Sequence, residues 1–308
     1  MKILVTGGAG FIGSHLVDAL VTEGHQVIVV DHHQKDKLRF PNPEAKLYKL
    51  SFQSPELADV FAKEKPDAVC HLAAQISVTR SVADPMMDAM TNIVSAVGVL
   101  DLAKKFGCKK FVFASSGGAI YGDHPERPTP EKHDTMPISP YGIGKQSFEY
   151  YLDLYREQFG LQTVALRFSN VYGPRQMSAG EAGVIAIFLE RLRTGVPAII
   201  FGDGSTTRDY LFVRDAVQAF VKALTSDFVG TVNVATSAET SVLELWELLK
   251  DIHGREHELE FHPTRPGEVL RSVLSAKTAH SVLDWRPTTA LHDGLKETYD
   301  WYMETFGK

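Results

Sequence analysis

Tyr141 and Lys145 stand four residues apart in "SPYGIGK" (139–145), so on a helix they share one face. A phenol beside an ammonium can act as a general base, because the positive charge favours the phenolate and lowers a pKa ordinarily near 10. Ser139 and Pro140 read as an N-cap followed by proline at the first helical position, which starts the helix at a fixed point. Gly142 and Gly144 each cost about 1 kcal/mol relative to alanine in a helix interior. The expectation is that they clear space for a bound group and the neighbouring strand. A partner hydroxyl should come from the carboxyl end of a parallel strand, where ligands bind. "FASSGGAIYG" (113–122) offers Ser115 and Ser116 there, and either hydroxyl can both donate and accept. Tyr–Lys pairs and strand-end serines also occur on ordinary surfaces, so this pair points to chemistry only beside a ligand site upstream.

That ligand is indicated by "LVTGGAGFIGSHL" (4–16). Gly8, Gly10 and Gly13 fit G-x-G-x-x-G, and Gly7, Gly10 and Gly13 fit the wider G-x-x-G-x-x-G. Such glycines permit a tight turn and let the backbone approach a pyrophosphate at a helix N-terminus. Asp31 ends the next apolar run, where a carboxylate would accept from a ribose 2′-OH and repel a 2′-phosphate. His32 and His33 follow it rather than arginine, which favours NAD over NADP. Neither histidine has the ligand set of a metal site, and His71, in an apolar run, reads as a core residue. No metal is expected.

Several elements must position these residues. Apolar runs at 2–6, 26–30, 46–50, 67–73, 109–115 and 162–168 alternate with helical stretches, the pattern of a doubly wound parallel α/β sheet. Residues 1–168 are expected to form the dinucleotide-binding domain, with 211–235 returning to it. Residues 169–308, denser in Gly and Pro, read as a smaller C-terminal α+β substrate-binding domain. Helices over 86–104 and 141–159 are apolar nearly all round and should be buried on more than one side, a second copy of the chain being the simplest cover. The chain has 308 residues, 44% hydrophobic and 23% charged, with a formal net charge of −6, which implies no nucleic-acid partner. No apolar run near 18 residues is evident, so no membrane span is expected. Cys70 and Cys108 are the only cysteines. Together with a first strand starting at Lys2, they suggest a reduced, cytoplasmic protein.

With these motifs in place the chain resembles the extended short-chain dehydrogenase/reductases, specifically their NAD-dependent epimerase/dehydratase family. The likeness runs through "TGGAGFIG", "HLAAQ" (71–75), "SSGGAIYG" (115–122), "YGIGK" (141–145), "LRFSNVYGPRQ" (166–176), "FGDGSTTRDYLFVRD" (201–215) and "RPGE" (265–268). The resemblance implies a Rossmann sheet and a Ser/Thr–Tyr–Lys catalytic set of Ser116, Tyr141 and Lys145, with Ser115 the alternative hydroxyl. It implies NAD held by Gly7, Gly10, Phe11, Ile12, Gly13, Asp31, His32, Leu72, Ala73, Ala74, Gln75, Asn92, Ser115, Tyr141 and Lys145. "LSFQS" (50–54) lacks the acid that the family usually carries near the adenine. On the substrate side it implies Asn170 and Arg208 at a diphosphate, and Phe201 and Tyr210 at the base or phosphates. Arg265 and Glu268 would lie near the nucleoside, Ser272 beside the sugar C2 substituent, and Ser116 and Tyr141 at the sugar. The implied activity is 4-epimerisation of a UDP-hexose, UDP-galactose/UDP-glucose or an N-acetylated counterpart, through a 4-keto sugar. Dehydratases and decarboxylases of the family need an added acid just after the catalytic hydroxyl; here Gly117 and Gly118 occupy that place. A dehydratase or decarboxylase is the alternative, and a non-catalytic nucleotide-binding regulator a more distant one.

Overall fold

The structure is a computed structural model that describes residues 1–32, 40–123, 126–178, 183–264 and 269–307. Its strands in chain order are β1 (Lys2–Thr6), β2 (Gln26–Val30), β3 (Lys46–Tyr48), β4 (Ala68–His71), β5 (Lys110–Ser116), β6 (Gln162–Phe168) and β7 (Asn170–Tyr172). Then come β8 (Ala198–Phe201), β9 (Thr207–Arg208), β10 (Tyr210–Phe212), β11 (Gly230–Val234), β12 (Thr240–Ser241), β13 (Leu259–His262) and β14 (Arg271–Ser272). The helices are α1 (Phe11–Thr22), α2 (Leu57–Glu64), α3 (Val78–Ala83), α4 (Pro85–Ala89), α5 (Ala96–Lys105) and α6 (Gly117–Ile120). They continue as α7 (Pro140–Phe159), α8 (Val184–Thr194), α9 (Val213–Thr225), α10 (Val242–His253), α11 (Lys277–Leu283) and α12 (Leu291–Phe306).

Seven strands form one sheet in the order β3-β2-β1-β4-β5-β6-β11, every neighbouring pair parallel. The order reverses at β1, so a crevice opens between the carboxyl ends of β1 and β4. The strands are apolar on both faces because helices cover both. On β1, Ile3 and Val5 pack into a core with Leu16, Val17 and Phe220 from α1 and α9, while Leu4 faces Phe61, Leu100 and Phe148 from α2, α5 and α7. A third core of Tyr172, Phe188, Trp246 and Tyr302 lies among the later elements.

Two expectations are corrected. The helix over 86–104 is three pieces: α4, a π-helical segment Met90–Ser95, and α5. Within one chain its outer side stays open, Met86, Met90 and Val94 being 74%, 51% and 55% exposed; this is the side for which a second copy is the expected cover. On α7, Tyr150 and Leu154 are 64% and 48% exposed. The run Pro85–Lys105 is, moreover, long and apolar enough by length and composition alone to cross a membrane. In the fold it packs against α7, with Asp88 and Asn92 buried.

Candidate active site

The glycine loop is shaped by close approaches. Gly7 has φ of 73°, and a Cβ there would lie 2.9 Å from the backbone nitrogen of Ala73, at the end of β4. A Cβ on Gly13 would come within 2.1 Å of the Gly7 carbonyl oxygen. Gly10 caps α1 without a side-chain hydrogen bond, so the first-turn N–H groups of Phe11 and Ile12 are left open to an anion. Beside them the buried Asp31 carboxylate, at the end of β2, accepts from the Ala9 N–H at 3.0 Å. Across the crevice the Ala73 N–H donates to the Thr6 hydroxyl at 3.3 Å. Asn92 accepts from the Gln75 N–H and donates to the Gln75 carbonyl, both at 2.9 Å, which fixes the segment Leu72–Gln75. A bare helix N-terminus, a cradle that any Cβ would fill and a flanking carboxylate together fit a dinucleotide whose 2′-OH is free.

The candidate reacting groups lie at the carboxyl end of β5. Ser139 accepts from the Gly142 N–H at 3.2 Å, with Pro140 in the first turn, so α7 starts one residue before Tyr141. Tyr141 hydrogen-bonds Ser116. Successive side chains of a strand face opposite ways, and Ser115 accordingly turns from Tyr141 and donates to Glu149 at 2.5 Å. Glu149 is also gripped by the Arg167 guanidinium, whose Nε and Nη2 donate at 3.0 and 2.6 Å. The Lys145 ammonium donates to the Ala114 carbonyl at 2.8 Å and sits 4.6 Å from the centre of the Phe113 ring and 5.7 Å from that of Tyr141.

The electrostatics depart from the sequence expectation. Burial dominates at both groups: Tyr141 is pushed up to about 12, against the expected lowering, with Ser116 pulling the other way. Lys145 is lowered to about 8 by burial, while Asp88 and Glu149 act to raise it. The glycines of α7 also have other neighbours than expected. A Cβ on Gly142 would lie 2.3 Å from the Ala119 carbonyl oxygen, and one on Gly144 would lie 3.2 Å from Asn92 Cβ and 3.3 Å from Asp88 Oδ2. They admit α6 and the π-helical segment rather than the neighbouring strand.

A cleft of about 510 Å³ adjoins this cluster, lined by Asn170, Phe201, Arg208 and Tyr210 together with Gln176 and Arg191. Ser272 on β14 is in register with Arg208 on β9. A Cβ on Gly118 would lie 3.7 Å from Asn170 Oδ1 and 4.0 Å from Ser272 Oγ. Those two residues, 102 positions apart in sequence, therefore flank the glycines after Ser116. Arg265 and Glu268 lie outside the described residues. Gln176 and Arg191 line the cleft without having been expected there. Gln176 closes the motif "LRFSNVYGPRQ" and was within reach of it; Arg191, an arginine on an amphipathic helix, carries no such signal. Among the described residues no cluster could hold a metal ion.

A parallel sheet of this order, with an uncapped helix at its switch point and a Ser–Tyr–Lys cluster at β5, is that of the extended short-chain dehydrogenase/reductases. Within that class the model of the NAD dependent epimerase/dehydratase family matches residues 3–235, and the chain belongs to that family. Over 308 residues it is 44% identical to a UDP-glucose 4-epimerase of Mycolicibacterium smegmatis, covering 98% of each. It superposes on the Thermotoga maritima UDP-glucose 4-epimerase with UDP-glucose at a TM-score of 0.96, with 45% identity and 99% of each chain covered. The Thermus thermophilus UDP-glucose 4-epimerase in complex with NAD gives 0.93, with 39% identity over 98% of this chain and 99% of the other.

Proposed function

We propose that the protein is an NAD-dependent isomerase that inverts C4 of a UDP-hexose, interconverting UDP-galactose and UDP-glucose. The observation that carries this reading is the paired glycine after Ser116. Gly117 and Gly118 put no acid beside the Ser116–Tyr141 pair, so the site can move one proton on and off a sugar hydroxyl without an added acid or base. NAD, when bound, supplies reversible hydride acceptance at the sugar carbon. In our reading the loop from Gly7 to Gly13 holds its pyrophosphate and Asp31 its ribose, with His32, Leu72, Ala73, Ala74, Gln75 and Asn92 lining the crevice.

Tyr141 takes the proton of the 4-hydroxyl and returns it to the oxygen after the 4-keto sugar has turned over. Ser116 holds that oxygen and the phenol in line; Ser115, committed to Glu149, takes no part. Burial keeps Tyr141 protonated in the free protein, so positive charge brought beside it on binding works toward the phenolate. Asn170 and Arg208 receive the diphosphate, where a guanidinium fork suits phosphate oxygens. Phe201 and Tyr210 receive the base. Ser272 leaves space beside the C2 substituent, so N-acetylated UDP-hexoses fit as well.

Residues 1–168 with 211–235 then form the cofactor half, supported by β11 pairing with β6, and 169–308 the sugar-nucleotide half. Cys70 and Cys108 are free and buried, which supports a reducing compartment, and we place the enzyme in the cytoplasm. The exposed apolar strips of α4, the π-helical segment and α7 support a homodimer.

The test is incubation with UDP-galactose without added reductant or oxidant, followed by chromatography of the sugar nucleotide. UDP-glucose should accumulate to equilibrium, and UDP-N-acetylglucosamine should likewise be inverted. NAD binding with no inversion of any nucleoside-diphosphate hexose would overturn the assignment.

A further inference from the structure

Asp88 is an acid that neither the motifs nor the site described above accounts for. It lies on α4, with 1% of its surface exposed. Its Oδ1 accepts from Gln75 Nε2 at 2.8 Å and from Asn92 Nδ2 at 2.9 Å. Its Oδ2 is buried and, among the described residues, has no hydrogen-bond partner. That oxygen packs on α7 at Gly144, the residue before Lys145, where a Cβ would stand only 3.3 Å from it. A buried carboxylate without a cation at contact distance is costly unless other charges or donors favour its ionised form.

The cation that interacts electrostatically with this carboxylate is Lys145. Lys145 faces Tyr141 and Glu149 on its own helix, His71 on β4, and Asp88 on α4. His71 is pushed down to about 3 by burial and is neutral at working pH. Glu149 is already matched by Arg167, which donates to both of its oxygens, and by Ser115. Asp88 has no ion-pair partner at contact distance among the described residues; burial raises its carboxyl above the ordinary range, while Gln75, Asn92 and the Lys145 charge act to keep it ionised.

We propose that Asp88 is a positioning residue for the reaction: its buried carboxylate holds Lys145 in the ammonium form without touching substrate or cofactor. This rests on the proposed function, with Lys145 read as one of the residues that hold NAD beside Tyr141. Burial alone drives Lys145 toward the neutral amine, and it sits at about 8 with Asp88, and after it Glu149, opposing that drive. The same carboxylate raises Tyr141, so it lifts both members of the pair together.

Removing the negative charge makes the ammonium and the phenol proton both easier to lose, so the whole pH window moves to lower pH. In NAD-loaded enzyme, kcat against pH should show its alkaline limb displaced by about one unit in Asp88→Asn, a tenfold change in the ionisation ratio at a given pH. Release of NAD from the same holoenzyme, followed by fluorescence, should accelerate at correspondingly lower pH. Asp88→Ser, a second neutral variant, should behave alike if the amide is poorly tolerated, and Asp88→Glu should restore the wild-type limb. Neutral variants that are slower at every pH with both breaks unmoved would show Asp88 to be structural and overturn the proposal. An inactive wild type would instead refute the epimerase reading, and the pH at which cofactor release accelerates would still decide the role of Asp88.

Discussion

Ser115 and Ser116 are adjacent in sequence and separated in chemistry, because a strand sends neighbouring side chains to opposite faces. Ser116 meets Tyr141; Ser115 completes the shell around Glu149 and Arg167. The two alanine variants should therefore fail in different ways. Ser116→Ala is expected to lower kcat by about 10²-fold, the low end of what a positioned proton-handling group contributes, with little change in melting temperature. Ser115→Ala should keep kcat within about twofold but cost about 1–3 kcal/mol of stability, since a buried carboxylate loses a donor. Initial rates and denaturant melts on the two proteins decide it, and the reverse pattern would make Ser115 the catalytic hydroxyl. The sequence alone held both open, because which face of β5 meets Tyr141 is fixed only when α7 docks.

Element by element, the sheet was legible and the helix contacts were not. Runs such as "KILVT" and "QVIVV" are too apolar to face water on either side, and each stands where a parallel strand does. The N-cap and proline of α7 were likewise readable, being local chemistry. The break of 86–104 into α4, a π-helical segment and α5 was hidden, because one extra residue in a helical turn leaves no compositional mark. The purpose of Gly142 was hidden too, since its neighbour Ala119 lies 23 positions upstream. That neighbour is a backbone carbonyl oxygen 2.3 Å from where a Cβ would stand, which cannot rotate away. Gly142→Ala therefore gains about 1 kcal/mol of helix propensity and loses more to overpacking, for a net cost of about 1–2 kcal/mol. A denaturant titration against wild type measures it. A more stable variant would show that α6 yields freely and that the glycine serves something other than this approach.

At the scale of the molecule, an apolar surface lies uncovered among the described residues. Met86, Met90 and Val94 recur every four residues along α4 and the π-helical segment, and Ile143, Tyr150 and Leu154 lie along α7, which packs against both. Large apolar side chains scattered singly on a surface are ordinary, but two touching helices that both present them form a patch of the kind that marks association. The same helices carry Asp88, Asn92 and Lys145 buried on their inward sides, with the half-buried Tyr141 beside Lys145. Anything that clamps the outer sides also stiffens the positions of the reacting groups. In our reading a second copy covers the patch through a two-fold axis, so that each substitution is felt twice in one interface. Val94→Glu combined with Leu154→Glu should then convert the protein from dimer to monomer in sedimentation velocity. Activity per chain should fall with the dimer as the site helices lose their support. A wild type that sediments as a monomer throughout the micromolar range would refute the dimer. A monomeric double variant of full activity would show that the patch serves assembly alone and leaves the site helices as they are.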